Sequence, residues 1–146
     1  MNLKELMTDK TLENEGVWIE DIFPGVRVKM RAASYRPFME FVEHKKKPYA
    51  LMGKEPTNDE MNAIVSEGMA KHLVLDWDGV EDDEGPVNFS EAVAKKTFLE
   101  VERFTARILQ ESGQMSNFQG KHEAAAVKNS PSTSGGESTS EGASNS

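Results

Sequence analysis

The stretch Pro24-Gly25-Val26-Arg27-Val28-Lys29-Met30-Arg31 constrains this chain more than any other. Proline presets φ and glycine accepts φ > 0, so the opening dipeptide suits a type II turn. After it, apolar Val26, Val28 and Met30 alternate with basic Arg27, Lys29 and Arg31. A period of two marks a strand with one buried and one wet face. The preceding run, Val17 to Phe23, is rich in β-formers, so a β-hairpin over residues 17–33 is expected.

Helical signals follow. Ser34 is placed to cap a helix over about 35–46 that carries Phe38, Met39, Phe41 and Val42, with Pro37 tolerated in its first turn. Lys45-Lys46-Lys47 suits the C-terminal dipole and Pro48 halts the helix, leaving 48–55 as a loop. Thr57 and Glu60 have capping-box spacing, and Met61, Ile64, Val65, Met69 and Leu73 form one stripe of a helix over 57–73. Whether Leu73-Val74-Leu75 ends that helix or begins a strand is open on periodicity. The longest helix is expected over 91–111, capped by Asn88 or Ser90, with Phe98, Val101, Phe104, Thr105 and Ile108 on its apolar face. Ser112-Gly113 breaks it, and a last short helix is expected over 116–128. Upstream, residues 3–7 form a short helix or fray, and Asn14-Glu15-Gly16 reads as a turn.

From Asn129 to Ser146 the only apolar side chain is Ala143, too little to offset backbone entropy. The expected architecture is therefore α+β: a mostly helical single domain, 1–128, with an N-terminal β-hairpin, and a disordered Ser/Gly-rich tail, 129–146. The absence of cysteine excludes disulfides, thiolate nucleophiles and Cys-ligated zinc or iron–sulfur centres. Charges occupy Met1–Glu5 where a signal peptide needs an apolar core, and no apolar run approaches the roughly 20 residues that span a bilayer. A cytoplasmic protein without a membrane partner is expected.

Six acids crowd residues 76–84, around Asp76-Trp77-Asp78-Gly79. An EF-hand loop needs ligands at positions 1, 3 and 5, glycine at 6 and glutamate at 12. Counting from Asp76 puts Val80, Glu81 and Val87 at the last three of those positions, so the pattern fails. With no base among them, the acids read as a solvated loop. His44, His72 and His122 lie on separate elements without zinc spacing, and no GxSxG, P-loop or dinucleotide fingerprint occurs. No catalytic residue, metal ligand or cofactor is assigned, and a non-enzyme is expected. Trp77, Asp78, Gly79 and Phe89 read instead as a shaped connector between two helices. In it Trp77 anchors apolar area, Gly79 permits φ > 0, and Phe89 staples the next helix. The cationic strand face of Arg27, Lys29 and Arg31 suits an acidic partner better than nucleic acid, since no aromatics interleave with it.

The order of these motifs carries a resemblance. A helix running into "LVLDWDG", an acidic loop with a Gly-Pro turn, "VNFS" opening a long helix, and a closing "NF…KNS" before a Ser/Gly-rich tail resemble the tail assembly chaperones of long-tailed bacteriophages over roughly residues 15–130. The resemblance implies a non-enzymatic assembly factor of the host cytoplasm. Such a protein coats the helical tape measure protein, keeps it soluble, recruits major tail protein, and is absent from the finished virion. It also implies synthesis in two forms by ribosomal frameshifting, with self-association along the client. Phe118, in the closing motif, then joins Arg27, Lys29 and Arg31 as a candidate partner contact. Eight methionines, among them Met30, Met39, Met61 and Met69, offer adaptable apolar surface or fill a small core. A structural minor tail or connector protein is the alternative, followed by a small nucleic-acid-binding regulator using the 27–31 face.

Overall fold

The computed structural model describes residues 2–119. Of the last helix expected, over 116–128, the described part is a 3-10 turn, Met115–Phe118, with Gln119 already extended; the remainder and the tail from 129 lie outside the described residues. At the centre is the hairpin: β1 (Val17–Phe23) and β2 (Val26–Met30) are antiparallel, with Val17 opposite Met30 and Phe23 opposite Val26. Gly25 takes φ +79° in the turn. The ladder stops at Met30, three residues short of the expected end, because the next amides leave for other elements: Arg31 N–H donates to Leu73 O at 2.8 Å and Ala32 N–H to Glu13 O at 3.2 Å. Between Ile19 and Phe23 the register shifts, and Asp21 sits at φ +54°. This is a β-bulge, tolerated because aspartate is among the few side chains that visit that region.

The "LVLDWDG" stretch does more than join the helices on either side of it. Val74–Asp78 forms β3, which pairs antiparallel with the free edge of β2 to give the sheet order β1-β2-β3. Arg27 lies opposite Asp78, Val28 opposite Trp77, and Lys29 opposite Asp76. A second register shift, leaving Leu75 unpaired, turns both Val74 and Trp77 to the core. The acidic loop beyond is itself a small hairpin, β4 (Glu81–Asp82) against β5 (Gly85–Pro86).

The helices cover the apolar face of the sheet. A 3-10 turn, Leu3–Leu6, replaces the first expected helix, and α1 (Lys10–Glu15) follows, its first turn capped by the Asp9 carboxylate. The region expected to turn at Asn14 is thus the end of a helix. Helix α2 (Arg36–Leu51) runs through Pro48 rather than stopping there. At that position proline removes a single hydrogen bond near the helix end. The true stop is Gly53 at φ +67°, with Lys54 N–H on Tyr49 O at 2.9 Å and Gly53 N–H on Ala50 O at 3.0 Å, the paired bonds of a Schellman motif. Its N-cap is Tyr35, not Ser34, whose hydroxyl donates to Glu13 instead.

Helix α3 (Asn58–Gly68) carries both halves of the capping box, Glu60 N–H on Thr57 Oγ1 at 3.1 Å and Thr57 N–H on Glu60 Oε1 at 2.8 Å. It widens into a π turn, Met69–Leu73, that sets Met69, Ala70 and Leu73 into the core before β3 begins. The long helix is two: α4 (Glu91–Glu100), capped by Ser90, and α5 (Glu102–Ser112), broken at Val101 with φ −114° and ψ 82°. The Thr105 hydroxyl takes up the Phe98 carbonyl at 2.6 Å across the break. The break brings Phe98 and Phe104 to one centre: Trp77 has Phe89 at 5.1 Å, Phe104 at 5.8 Å and Phe98 at 6.0 Å between ring centroids. Aromatic pairs of this kind add about 0.5–1.5 kcal/mol each beyond their buried area.

Candidate functional site

Three surfaces carry the residues singled out above. The first is the outer face of the sheet, where the cationic strand and the acids of β3 meet. Arg27 stands 3.4 Å from Asp78, 3.7 Å from Glu20, and 4.2 Å over the Trp18 ring. Lys29 is flanked by Trp18 on β1 and Asp76 on β3. Arg31 donates to the carbonyls of Asn14 at 2.5 Å and His72 at 2.8 Å, and lies 4.4 Å over Tyr35. Two motifs that looked separate in the sequence are thus cross-strand partners, the arrangement that opposite charges favour in an antiparallel pair. Arg31 is occupied by backbone and does not share the open face with the other two.

The second is the end of β3. The Trp77 indole N–H donates to Val87 O at 2.7 Å, fastening the strand to the residues that lead into α4. Phe89 packs edge-on to the Trp77 ring. Gly79 has φ +87°, and a Cβ there would lie well inside contact distance of the Gly25 carbonyl oxygen and 3.0 Å from its carbon. The end of β3 is pressed against the β1–β2 turn at a point where only hydrogen fits. Asp78 is exposed, its carboxylate on Arg27.

The third is a groove of about 280 Å³ between α3 and the α4–α5 pair. Its lining includes Met61, Val65, Phe98, Leu99, Thr105 and Leu109. Met61 and Val65 belong to the expected stripe on α3, whose other members Ile64, Met69 and Leu73 are buried. The stripe is wider than the core can cover. Leu99, 47% exposed on the groove wall, has no counterpart in the expected α4 face. Its signal was present as an apolar position just outside that face.

Phe118 needs correction. It is 1% exposed, and its carbonyl accepts from Asp9 N–H at 2.7 Å, so it closes the core beneath α1 and α5 instead of meeting a partner. Close by lies a carboxylate, Glu13, that apolar periodicity does not single out. Glu13 is only 5% exposed, bonded by the hydroxyls of Thr8 and of Ser34 (2.9 Å), with Lys10 at 3.6 Å. Burial pushes its pKa up, but the two hydroxyls and the lysine charge outweigh burial and hold it below the ordinary glutamate value. Asp9, one turn earlier at a capping position, was the legible sign that this segment is helical.

Among the described residues, no three His, Asp or Glu side chains cluster so as to hold a metal ion, and no helix is long and apolar enough to cross a membrane. What the fold defines is a small α+β domain with open surface grooves. Residues 33–129 match the YdaY prophage protein family, and the chain belongs to that family, which makes it a protein of phage origin. The match takes in α2 to α5 and β3, and leaves out the β1–β2 hairpin. No curated protein and no solved structure matches the chain.

Proposed function

We propose that this phage protein is a tail assembly chaperone. In the host cytoplasm it would bind the tape measure protein reversibly, keep it soluble, present it to major tail protein, and leave before the virion is complete, with no enzymatic step. The order of motifs from "LVLDWDG" to "NF" suggested this role, and the phage family is in keeping with it. The observation that carries it is the groove between α3 and α4–α5. A helical client is taken up by laying its apolar face into such a groove. Met61 and Leu109 at its sides adapt to changing side chains along a long client, as flexible apolar surfaces do.

The test is co-expression with the tape measure protein of the same genome, scoring soluble client with and without this chain. Soluble, copurifying client supports the role; client that remains insoluble refutes it. Leu99→Asp and Met61→Asp then locate the surface. Each changes an incompletely buried side chain, so each leaves the fold intact and abolishes copurification if the groove is the contact. Finding the chain in stoichiometric amounts in purified particles would favour the minor tail protein instead.

A further inference from the structure

We propose that the groove between α3 and α4–α5 selects its helix by chemistry: it takes an amphipathic helix whose apolar stripe holds one carboxamide side chain, Asn or Gln, with lysine or arginine beside the stripe. The inference rests on the reading of that groove as the client surface and names what the client must carry. Its first support is a hydroxyl. Ser66 lines the groove on α3 and is only 2% exposed, yet among the described residues its hydroxyl makes no hydrogen bond. A serine inside a helix ordinarily turns back to the carbonyl one turn earlier, here that of Asn62. The other hydroxyl on the wall, Thr105, is occupied by Phe98 O at 2.6 Å. A buried hydroxyl without a partner has given up its water for nothing in return, and a partner brought from outside accounts for such an orphan.

Asn62 stands one turn before Ser66 on the same helix and lines the same wall. It is exposed and, among the described residues, its amide is also without a hydrogen bond. A carboxamide carries an acceptor oxygen and an N–H donor side by side, so one such group entering the groove satisfies the Ser66 hydroxyl and the Asn62 amide together. An apolar side chain in its place leaves Ser66 as it was. Met61, Val65, Leu99 and Leu109 take the rest of the stripe. The one charged residue of the lining is Glu102, exposed, with no salt bridge among the described residues. Complementarity therefore asks for a cation on the polar flank of the incoming helix and turns away a helix flanked by acids.

The experiment measures binding of fluorescein-labelled amphipathic helical peptides to the full chain by fluorescence anisotropy. The parent peptide carries one glutamine in a leucine stripe flanked by lysines. One sister has leucine for the glutamine, and the other has glutamates for the lysines. Repeating the measurements on Ser66→Ala and Glu102→Lys gives two double-mutant cycles, which cancel what each substitution does alone. Ser66→Ala is expected to lower the preference for the glutamine peptide over the leucine peptide by about threefold to tenfold. Glu102→Lys lowers the preference for lysine over glutamate by about threefold or more at about 0.1 M salt, an effect that fades at about 1 M. Ser66→Ala is also followed in urea: with the hydroxyl unpartnered in the free protein, its midpoint stays at or above that of the wild type. A midpoint that falls means the hydroxyl is already bonded in the free chain and overturns the proposal, as do cycles without coupling or peptides that do not bind. The co-expression assay separates this selection from the reading beneath it. Soluble, copurifying client without the couplings removes the selection and leaves the chaperone role; insoluble client with the couplings intact does the reverse.

Discussion

Gly79→Ala is the sharpest test of how the sheet is put together. The residue is glycine for two separable reasons. Its φ is +87°, where an L side chain costs about 1–2 kcal/mol. A Cβ would also strike the Gly25 carbonyl group and come within 3.3 Å of Val26 Cα, all backbone, so no side chain can swing away to relieve it. Overpacking of this kind adds about 1–3 kcal/mol. Together the substitution should cost about 2–5 kcal/mol, or roughly 8–20 °C in Tm for a domain of this size. Gly25→Ala is the internal control: φ is +79°, yet nothing lies within 4 Å of its Cβ position, so only the conformational part, about 1–2 kcal/mol, is lost. Both are measured by urea unfolding followed by Trp fluorescence, checking that the slope m is unchanged. If Gly79→Ala costs no more than Gly25→Ala, the close approach of β3 to the hairpin turn is wrong, and with it the steric account of the DWDG motif.

Trp77→Phe keeps an aromatic ring in the cluster but leaves Val87 O without its 2.7 Å donor, and should destabilise by about 1–3 kcal/mol in the same urea assay. Glu13 has a folded pKa below the ordinary value of 4.5, so between the two values the unfolded chain binds more protons. Its contribution is therefore complete above the unfolded pKa and is lost as pH falls through the folded one. A pH series of unfolding midpoints should fall less steeply on the acid side for Glu13→Gln than for the wild type. Pro48→Ala restores a helical N–H in the last turn of α2 and should leave stability unchanged or raise it by about 1 kcal/mol; a loss would mean that the ring packs in a way the helix end requires.

The parts of this fold that neighbours within four residues decide could be read from the chain alone. The alternation in β2, the Pro24-Gly25 turn and the Thr57–Glu60 capping box are all of that kind, and so was the α+β class that they add up to. What escaped depends on distant partners. Arg27 and Asp78 are 51 residues apart, and only their pairing makes Val74–Asp78 a strand rather than the end of a helix. The break at Val101 is also tertiary: helical periodicity runs smoothly past it, and the reason for the break is that Phe98 and Phe104 both close on Trp77. Pro48 carries a general stop signal, but so near the helix end it is overridden, and the local signal, Gly53, ends α2. The groove lay half in view. Met61 and Val65 belong to an apolar stripe legible in the sequence, but only the position of α5 decides which members of a stripe stay uncovered.

The bulge at Asp21 bears on what this molecule can hold. A three-stranded sheet ends in two rows of backbone groups that could recruit any passing extended chain. Here one rim is bent out of register where Asp21 turns to φ +54°. On the other, the amide of Trp77 is taken by the carboxylate of its own neighbour, Asp76, at 2.8 Å. Both rims are blunted against strand addition, while the helical side is left open between α3 and α5. If the groove is the client surface proposed above, the molecule would select by secondary structure before reading any side chain, taking a helix in preference to a β-strand.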